Sequence, residues 1–313
     1  MFDYLPANSP QAPSAPHPAT TLAFDARRCT VQLENGHLYL DANAAPARVL
    51  LGYDAPRSLG LSPTTAIALI ERIADGYRCV AVAANLDEAV AVATAIARKD
   101  HGEIDLRIVD GDGEEPVETR EAVLIALENR SLGRSGRWLR SEGWSRKPDF
   151  VLVGDALTGG APFAAVLARN PPSDRSAPLI TCDAAALARA GATIQTVITE
   201  NLLDQAPLLD RYFRERLDSV RDTCGEIGEL DFFPLGATIR LSTPTVAARL
   251  KRKLCERGVL VGLDDQSRIV IAPPLVIRPA EIDVISGALR AALMNRRWRP
   301  SLCCPDCQAI AAE

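Results

Sequence analysis

An α/β fold is what this sequence predicts, and three stretches carry the prediction. Phe150 to Val153 is an apolar, β-branched-rich run with the length of a buried strand, and it ends in a Gly-rich turn. Ahead of it come a helix from about Pro63 to Ala74, a buried strand from Cys79 to Ala84 and a long Ala-rich helix ending near Lys99. Beyond Gly225, short apolar strands are interleaved with two helices, Thr243 to Arg257 and Pro279 to Arg296.

Composition sets the bounds. The 313 residues are 47% hydrophobic and 24% charged, enough to bury the core of one large domain or two modest ones. A formal charge of -5 gives no general attraction to nucleic acid or to an anionic membrane, and the basic stretch Arg137 to Lys147 reads as a solvated loop. No run approaches the roughly 18 apolar residues of a membrane span, and the N-terminus lacks a basic region followed by an apolar one, so a cytoplasmic location is expected. Eight cysteines, at 29, 79, 182, 224, 255, 303, 304 and 307, are scattered, several of them inside apolar runs. They read as small buried hydrophobes with reduced thiols.

The elements can be justified in order. Residues 1–20 repeat Pro, Ala and Ser without apolar periodicity and are expected to form an arm outside the core. Two alternating strands flank Asn35-Gly36, a strong hairpin signal. Ser62 is a suitable N-cap for the first helix, and Asn85-Leu86-Asp87-Glu88 opens the Ala-rich one as an acidic N-cap turn. Ile104 to Val109 and Val123 to Leu127 read as strands separated by an acidic loop. Ala184 to Val220 reads as one or two long helices. Thr238 to Leu241, Val259 to Leu263 and Arg268 to Ala272 read as strands, with Gly258 ending the helix before the second. Gly-x-Ser-x-Gly, Walker and dinucleotide-binding patterns are absent, which weakens hydrolase, NTPase and dehydrogenase readings.

The stretch from Ser131 to Arg169 contains GRSGRW, Pro148-Asp149 and the order GD-ALTGG-AP-x-AAV. These motifs resemble class III aminotransferases, fold-type I enzymes that use pyridoxal phosphate. Tyr39-Leu40-Asp41, the turn at Gly52 and Pro56, ERGVLVG and IAPPLVI-x-x-x-EID extend the likeness over roughly residues 24–296. The resemblance implies a large domain with a mostly parallel sheet flanked by helices, truncated here because only 26 residues separate Lys99 from Ala126, plus a small α+β C-terminal domain. The boundaries it implies are an arm at 1–20, an N-terminal hairpin segment of the small domain at 21–62, the truncated large domain at 63–222, the small domain at 223–298 and a Cys-containing tail at 299–313.

What the resemblance implies about the site turns on substitutions. Asp155 stands at the position of the family's Schiff-base lysine, and a carboxylate cannot form an imine. Ala126 stands at the position of the acid that pairs the pyridine nitrogen. Asn85 and Leu86 replace the Ser-Gly of the phosphate turn, and Asp87 puts a carboxylate beside it. Thr181 matches a threonine that reaches the cofactor phosphate across a dimer interface, although a helix N-cap explains it as well. Arg268 is placed either to grip a substrate carboxylate or to form a surface ion pair. Cys304 and Cys307 form a C-x-x-C, too few ligands for structural zinc, so no metal is expected. None of the four lysines, at 99, 147, 251 and 253, is placed to replace the missing one, two of them being read on an exposed helix face. The expectations are therefore no cofactor and a non-transaminating structural or regulatory subunit. Such a subunit would be a homodimer or the heterodimer partner of an intact aminotransferase paralogue, without nucleic acid or membrane. The alternatives are an enzyme using Asp155 as acid or base on a small metabolite, and residual aminotransferase activity.

Overall fold

A computed structural model describes residues 23–33, 36–44, 49–54, 60–101, 105–110, 115–116, 122–171 and 177–294. The largest sheet is built from β4 (Arg78–Ala83), β5 (Leu106–Asp110), β6 (Val123–Glu128), β7 (Phe150–Val153), β8 (Ala164–Ala168) and β9 (Leu179–Ile180), in the order β5-β6-β7-β8-β4-β9. Strands β5, β6 and β7 are mutually parallel, β4 and β9 are parallel, and β8 runs against both β7 and β4. The sheet is thus parallel except for one strand, as the resemblance implies.

Both faces of this sheet are covered, which is why its central strands are apolar throughout instead of alternating. On β7, Phe150 and Leu152 face a cluster with Ala89, Ala93 and Ala97 of α2 (Leu86–His101), while Val151 and Val153 face α1 (Pro63–Glu71) and α3 (Ala184–Thr199). Ala89, Ala93 and Ala97 recur every four residues, so α2 lays a stripe of methyl groups against the sheet and approaches it closely. Each Val or Leu buried this way contributes about 1.5–3 kcal/mol relative to exposure. The α1 N-cap is Ser62, whose hydroxyl accepts from Thr65 N.

Two smaller sheets lie at the chain's two ends. In the first, β1 (Ala23–Arg27), β2 (Thr30–Leu33) and β3 (Leu38–Asp41) form an antiparallel meander, to which β12 (Val259–Leu260) adds in parallel. The second has the order β10-β11-β14-β13, from β10 (Glu229–Phe233), β11 (Gly236–Arg240), β13 (Gly262–Leu263) and β14 (Ile269–Ile271). The single strand expected over Val259 to Leu263 is therefore two strands, each paired to a different sheet. Gly262 permits the switch, since a Cβ there would sit 2.7 Å from Asn43 Oδ1.

The span 184–220 holds two helices, α3 and α4 (Leu202–Thr223), separated where Asn201 takes a left-handed conformation. Helices α5 (Pro244–Cys255) and α6 (Pro279–Leu293) complete the C-terminal part. No helix among the described residues is long and apolar enough to cross a membrane.

Candidate functional site

Strand β7 ends at Val153, and the chain turns at once. Asp155 opens a 3-10 turn, Asp155–Thr158, whose first carbonyl accepts from Thr158 Oγ1 at 3.0 Å and from Gly160 N at 2.9 Å. Gly159 closes the turn at φ +68°, a conformation that glycine adopts without steric cost. The Asp155 carboxylate is half-buried and accepts from Asn129 Nδ2 at 3.2 Å, while Asn129 Oδ1 takes the Ala156 N–H at 3.3 Å. Asn129, just past the end of β6, thus pins both the side chain and the backbone of the turn. Sequence reading missed it, because a lone Asn after a strand is an ordinary loop residue.

Ala126 lies in the middle of β6, paired with Val109 and Val151, and is fully buried in a cluster with Leu124 and Trp144. Two residues on, Glu128 is also fully buried, its carboxylate taking Ser131 Oγ at 2.7 Å and Ser141 N at 2.6 Å. These bonds fold the 129–148 loop back onto the strand end. Arg134 in that loop is fully buried and donates from Nη1 to the carbonyls of Pro273 (2.6 Å) and Leu235 (3.2 Å), joining the loop to the C-terminal sheet. The loop is also less solvated than expected. Trp138 and Trp144 are buried in the core, and Arg146 Nη2 donates to Ala122 O and to Asp149 Oδ2. Charge patterning registers the basic side chains, of which Arg137 is exposed, but is silent on the indole rings packed between them.

The start of α2 is capped from within. Asn85 Oδ1 accepts from Glu88 N at 2.9 Å, and Glu88 Oε2 accepts from Ala84 N at 3.0 Å, a reciprocal arrangement that satisfies two helix-start donors. Thr181 follows β9 and donates to Glu88 Oε1 at 2.7 Å. It is not a helix N-cap. That role on α3 belongs to Asp183, which accepts from Ala185 N. Leu86 is half-buried against the α2 side of the sheet, and Asp87 is exposed in the first turn.

Arg268 is engaged by carboxylates of its own chain, donating from Nε to Asp264 Oδ2 at 2.7 Å and lying 3.9 Å from Asp231. Burial raises the Asp264 pKa, but the Arg268 N–H, its guanidinium hydrogen bond and its charge together outweigh that and hold the carboxyl below the usual range. A depressed folded-state pKa adds stability that is present above the unfolded value, about 3.9, and is lost as pH falls through the folded value. Asp264→Asn is therefore expected to flatten the acid side of the stability profile below about pH 4, read by urea unfolding between pH 3 and 6.

Of the lysines, Lys253 donates to Ala292 O and Lys147 to Glu142 O. Lys251 and Lys253 are half-buried, not on an exposed face as read from sequence, and burial lowers the Lys251 pKa. Cys29, Cys79 and Cys224 are buried free thiols, with burial pushing Cys79 up to about 12. Cys304 and Cys307 lie outside the described residues. Among the described residues, no group of three His, Cys, Asp or Glu side chains is placed to hold a metal ion. An open cleft of about 630 Å³ is lined by Glu71, Arg72, Asp75, Tyr77 and Arg78 among others, and shares no residue with the set around Asp155.

The sequence and the fold that carry this site have counterparts among known proteins. The family model for class III aminotransferases matches residues 118–293, more than half of the chain. The chain belongs to the class III aminotransferase family. Curated class III relatives include the acetylornithine aminotransferase of Methanothermobacter thermautotrophicus, 30% identical over 185 residues that cover 57% of this chain and 47% of that protein. The ornithine aminotransferase of an Exiguobacterium species is 32% identical over 185 residues, covering 55% and 44%. The chain thus spans less than half the length of these curated relatives. Among solved structures, the acetylornithine aminotransferase of Elizabethkingia anophelis superposes with a TM-score of 0.74 at 19% identity, covering 91% of this chain and 96% of that one. The ornithine aminotransferase of Plasmodium yoelii gives 0.73 at 18%, covering 91% and 96%. At such identities these two establish a shared fold.

Membership in this family corrects one expectation. The chain was expected to use no cofactor, whereas it belongs to the class III aminotransferase family and its curated relatives include acetylornithine and ornithine aminotransferases, so pyridoxal phosphate is the cofactor to expect. The residues present do not fit its covalent attachment at position 155. The carboxylate there is held by Asn129, and the fully buried Ala126 offers no acid to a pyridine nitrogen.

Proposed function

We propose that this class III aminotransferase-like chain does not transaminate and serves as a structural or regulatory subunit, as a homodimer or beside an intact aminotransferase paralogue. The observation that carries the reading is Asp155, a carboxylate bound to Asn129 where the resemblance puts the amine that aminotransferases need. The framework around it is retained, with the Gly-rich turn, the capped start of α2 and the Arg134 bridge all formed. A chain that keeps its scaffold and lacks the reacting amine is suited to binding and assembly instead of turnover.

The test is an amino-transfer assay of the purified chain with ornithine or acetylornithine as donor, 2-oxoglutarate as acceptor and pyridoxal phosphate supplied. The expected result is no product above the protein-free control, and no borohydride-fixed adduct on residue 155. Measurable turnover by the chain alone would overturn the proposal.

A further inference from the structure

We propose that the open cleft at the start of β4 binds a small zwitterion of α-amino-acid type, with Arg72 taking its carboxylate and Asp75 its ammonium. The inference goes beyond the proposed function and stands without it. Strands β4 and β7 both run against β8, so they point the same way. Asp155 follows the C-terminal end of β7 and the capped start of α2 follows that of β4, whereas the cleft sits at the N-terminal end of β4. The six residues of β4, about 20 Å of extended chain, separate the two ends. A ligand in the cleft therefore competes with nothing at the Asp155 turn.

The cleft is held in shape by its own residues. Glu71, the last residue of α1, accepts from Cys79 N at 3.0 Å and from Arg78 Nη1 at 3.4 Å, tying the helix end to β4. Tyr77 donates from its hydroxyl to Pro148 O at 2.6 Å, which fixes its ring in the wall. Between them the chain turns through Gly76, at φ +78°, and a Cβ there would meet nothing within 4 Å, so the space beside the turn is open. The volume, about 630 Å³, falls within the range of about 300–1,000 Å³ that small-molecule sites occupy. Arg72 and Asp75 line it with exposed side chains that make no hydrogen bond or ion pair among the described residues. With Glu71 and Arg78 they give the lining two charges of each sign. A simple anion gains at the guanidinium groups and loses to the carboxylates, and a simple cation fares likewise, so net attraction falls to a molecule that carries both charges. A guanidinium takes a carboxylate through two parallel N–H···O bonds. The ammonium goes to Asp75, just past the C-terminal end of α1, where the helix dipole adds negative potential and no basic residue occupies the last turn. Ala68 and the Tyr77 ring offer an apolar wall to the ligand's side chain, a combination that L-leucine matches.

Ligand-observed NMR titration of the full chain tests the site with three probes: L-leucine, 4-methylpentanoate, which lacks the amine, and 3-methylbutylamine, which lacks the carboxylate. Leucine is expected to bind in the millimolar range, because the charges stay in contact with water, and each analogue to bind about fivefold or more weakly than leucine. Arg72→Ala and Asp75→Ala are each expected to weaken leucine binding by about fivefold or more. Both positions are exposed, so the variants are expected to keep the native circular dichroism and melting temperature, which separates a lost contact from a lost fold. No leucine binding at millimolar concentration, analogues that bind as well as leucine, affinity untouched by both substitutions, or binding lost in Asp155→Asn and kept in R72A would each overturn the proposal.

Discussion

Ala126→Asp is expected to cost about 3 kcal/mol of stability at neutral pH, a unit-charge change at one methyl group. The position is fully buried among Leu124, Trp144 and the half-buried Val109. A carboxylate there loses its hydration, and the side chains of this cluster are apolar, so they offer no charge to repay the loss. Burial raises the folded-state pKa of the new acid above its unfolded value. The penalty is therefore full at high pH and shrinks as pH falls and the group becomes neutral. Urea unfolding of native and A126D protein at pH 7.5 and pH 5 reads both features. Ala126→Asn separates volume and polarity from charge, because its cost carries no pH dependence. A loss below about 1 kcal/mol at pH 7.5 would mean that β6 has polar room beside it for an acid, and the case against an electron-sink pocket would fall with it.

The same cluster shows what a sequence of this kind conveys and what it withholds. The apolar run at 150–153, the Ala stripe of α2 and the Ser62 cap are local patterns, and each appears where periodicity and capping rules put it. Pairings set by topology are not legible in that way. The bond from Thr181 to Glu88 joins residues 93 positions apart, and β12 reaches β3 across most of the chain. Neither has a local signature, so Thr181 reads equally well as a cap or a ligand until the fold is known. Splitting Val259 to Leu263 into two strands depends on which sheets stand on either side. The identity of Asp155 was plain from the motif around it, but its partner was not, since Asn129 belongs to a loop with no periodicity. Trp144 reads as part of an exposed basic loop for a similar reason, its neighbours being charged while its own ring is buried.

Arg134→Ala is expected to destabilise the chain by about 3–5 kcal/mol, the range for removing a buried side chain and leaving its partners unsatisfied. Arg134 is fully buried, and its Nη1 serves the carbonyls of Pro273 and Leu235, residues 139 and 101 positions away. Truncation opens a cavity the size of a guanidinium and its methylene stem, and both carbonyl-bearing residues are themselves buried, so water cannot readily take over. Arg134→Lys keeps a charge but has no planar fork to span two carbonyls, so a substantial part of the loss is expected to remain. The consequence reaches the site. Arg134 and Glu128 anchor the same loop, Glu128 through Ser131 and Ser141 on either side of Arg134, and Arg134 through the C-terminal sheet. Hydrogen exchange of R134A is expected to show faster exchange in the amides of 131–141 and of the β11 and β14 strands, with β7 and α2 protected as in the native chain. Uniform loss of protection across all of these would instead mean that the chain unfolds as one unit, and that Arg134 acts on global stability with no local role in holding the loop to the C-terminal sheet.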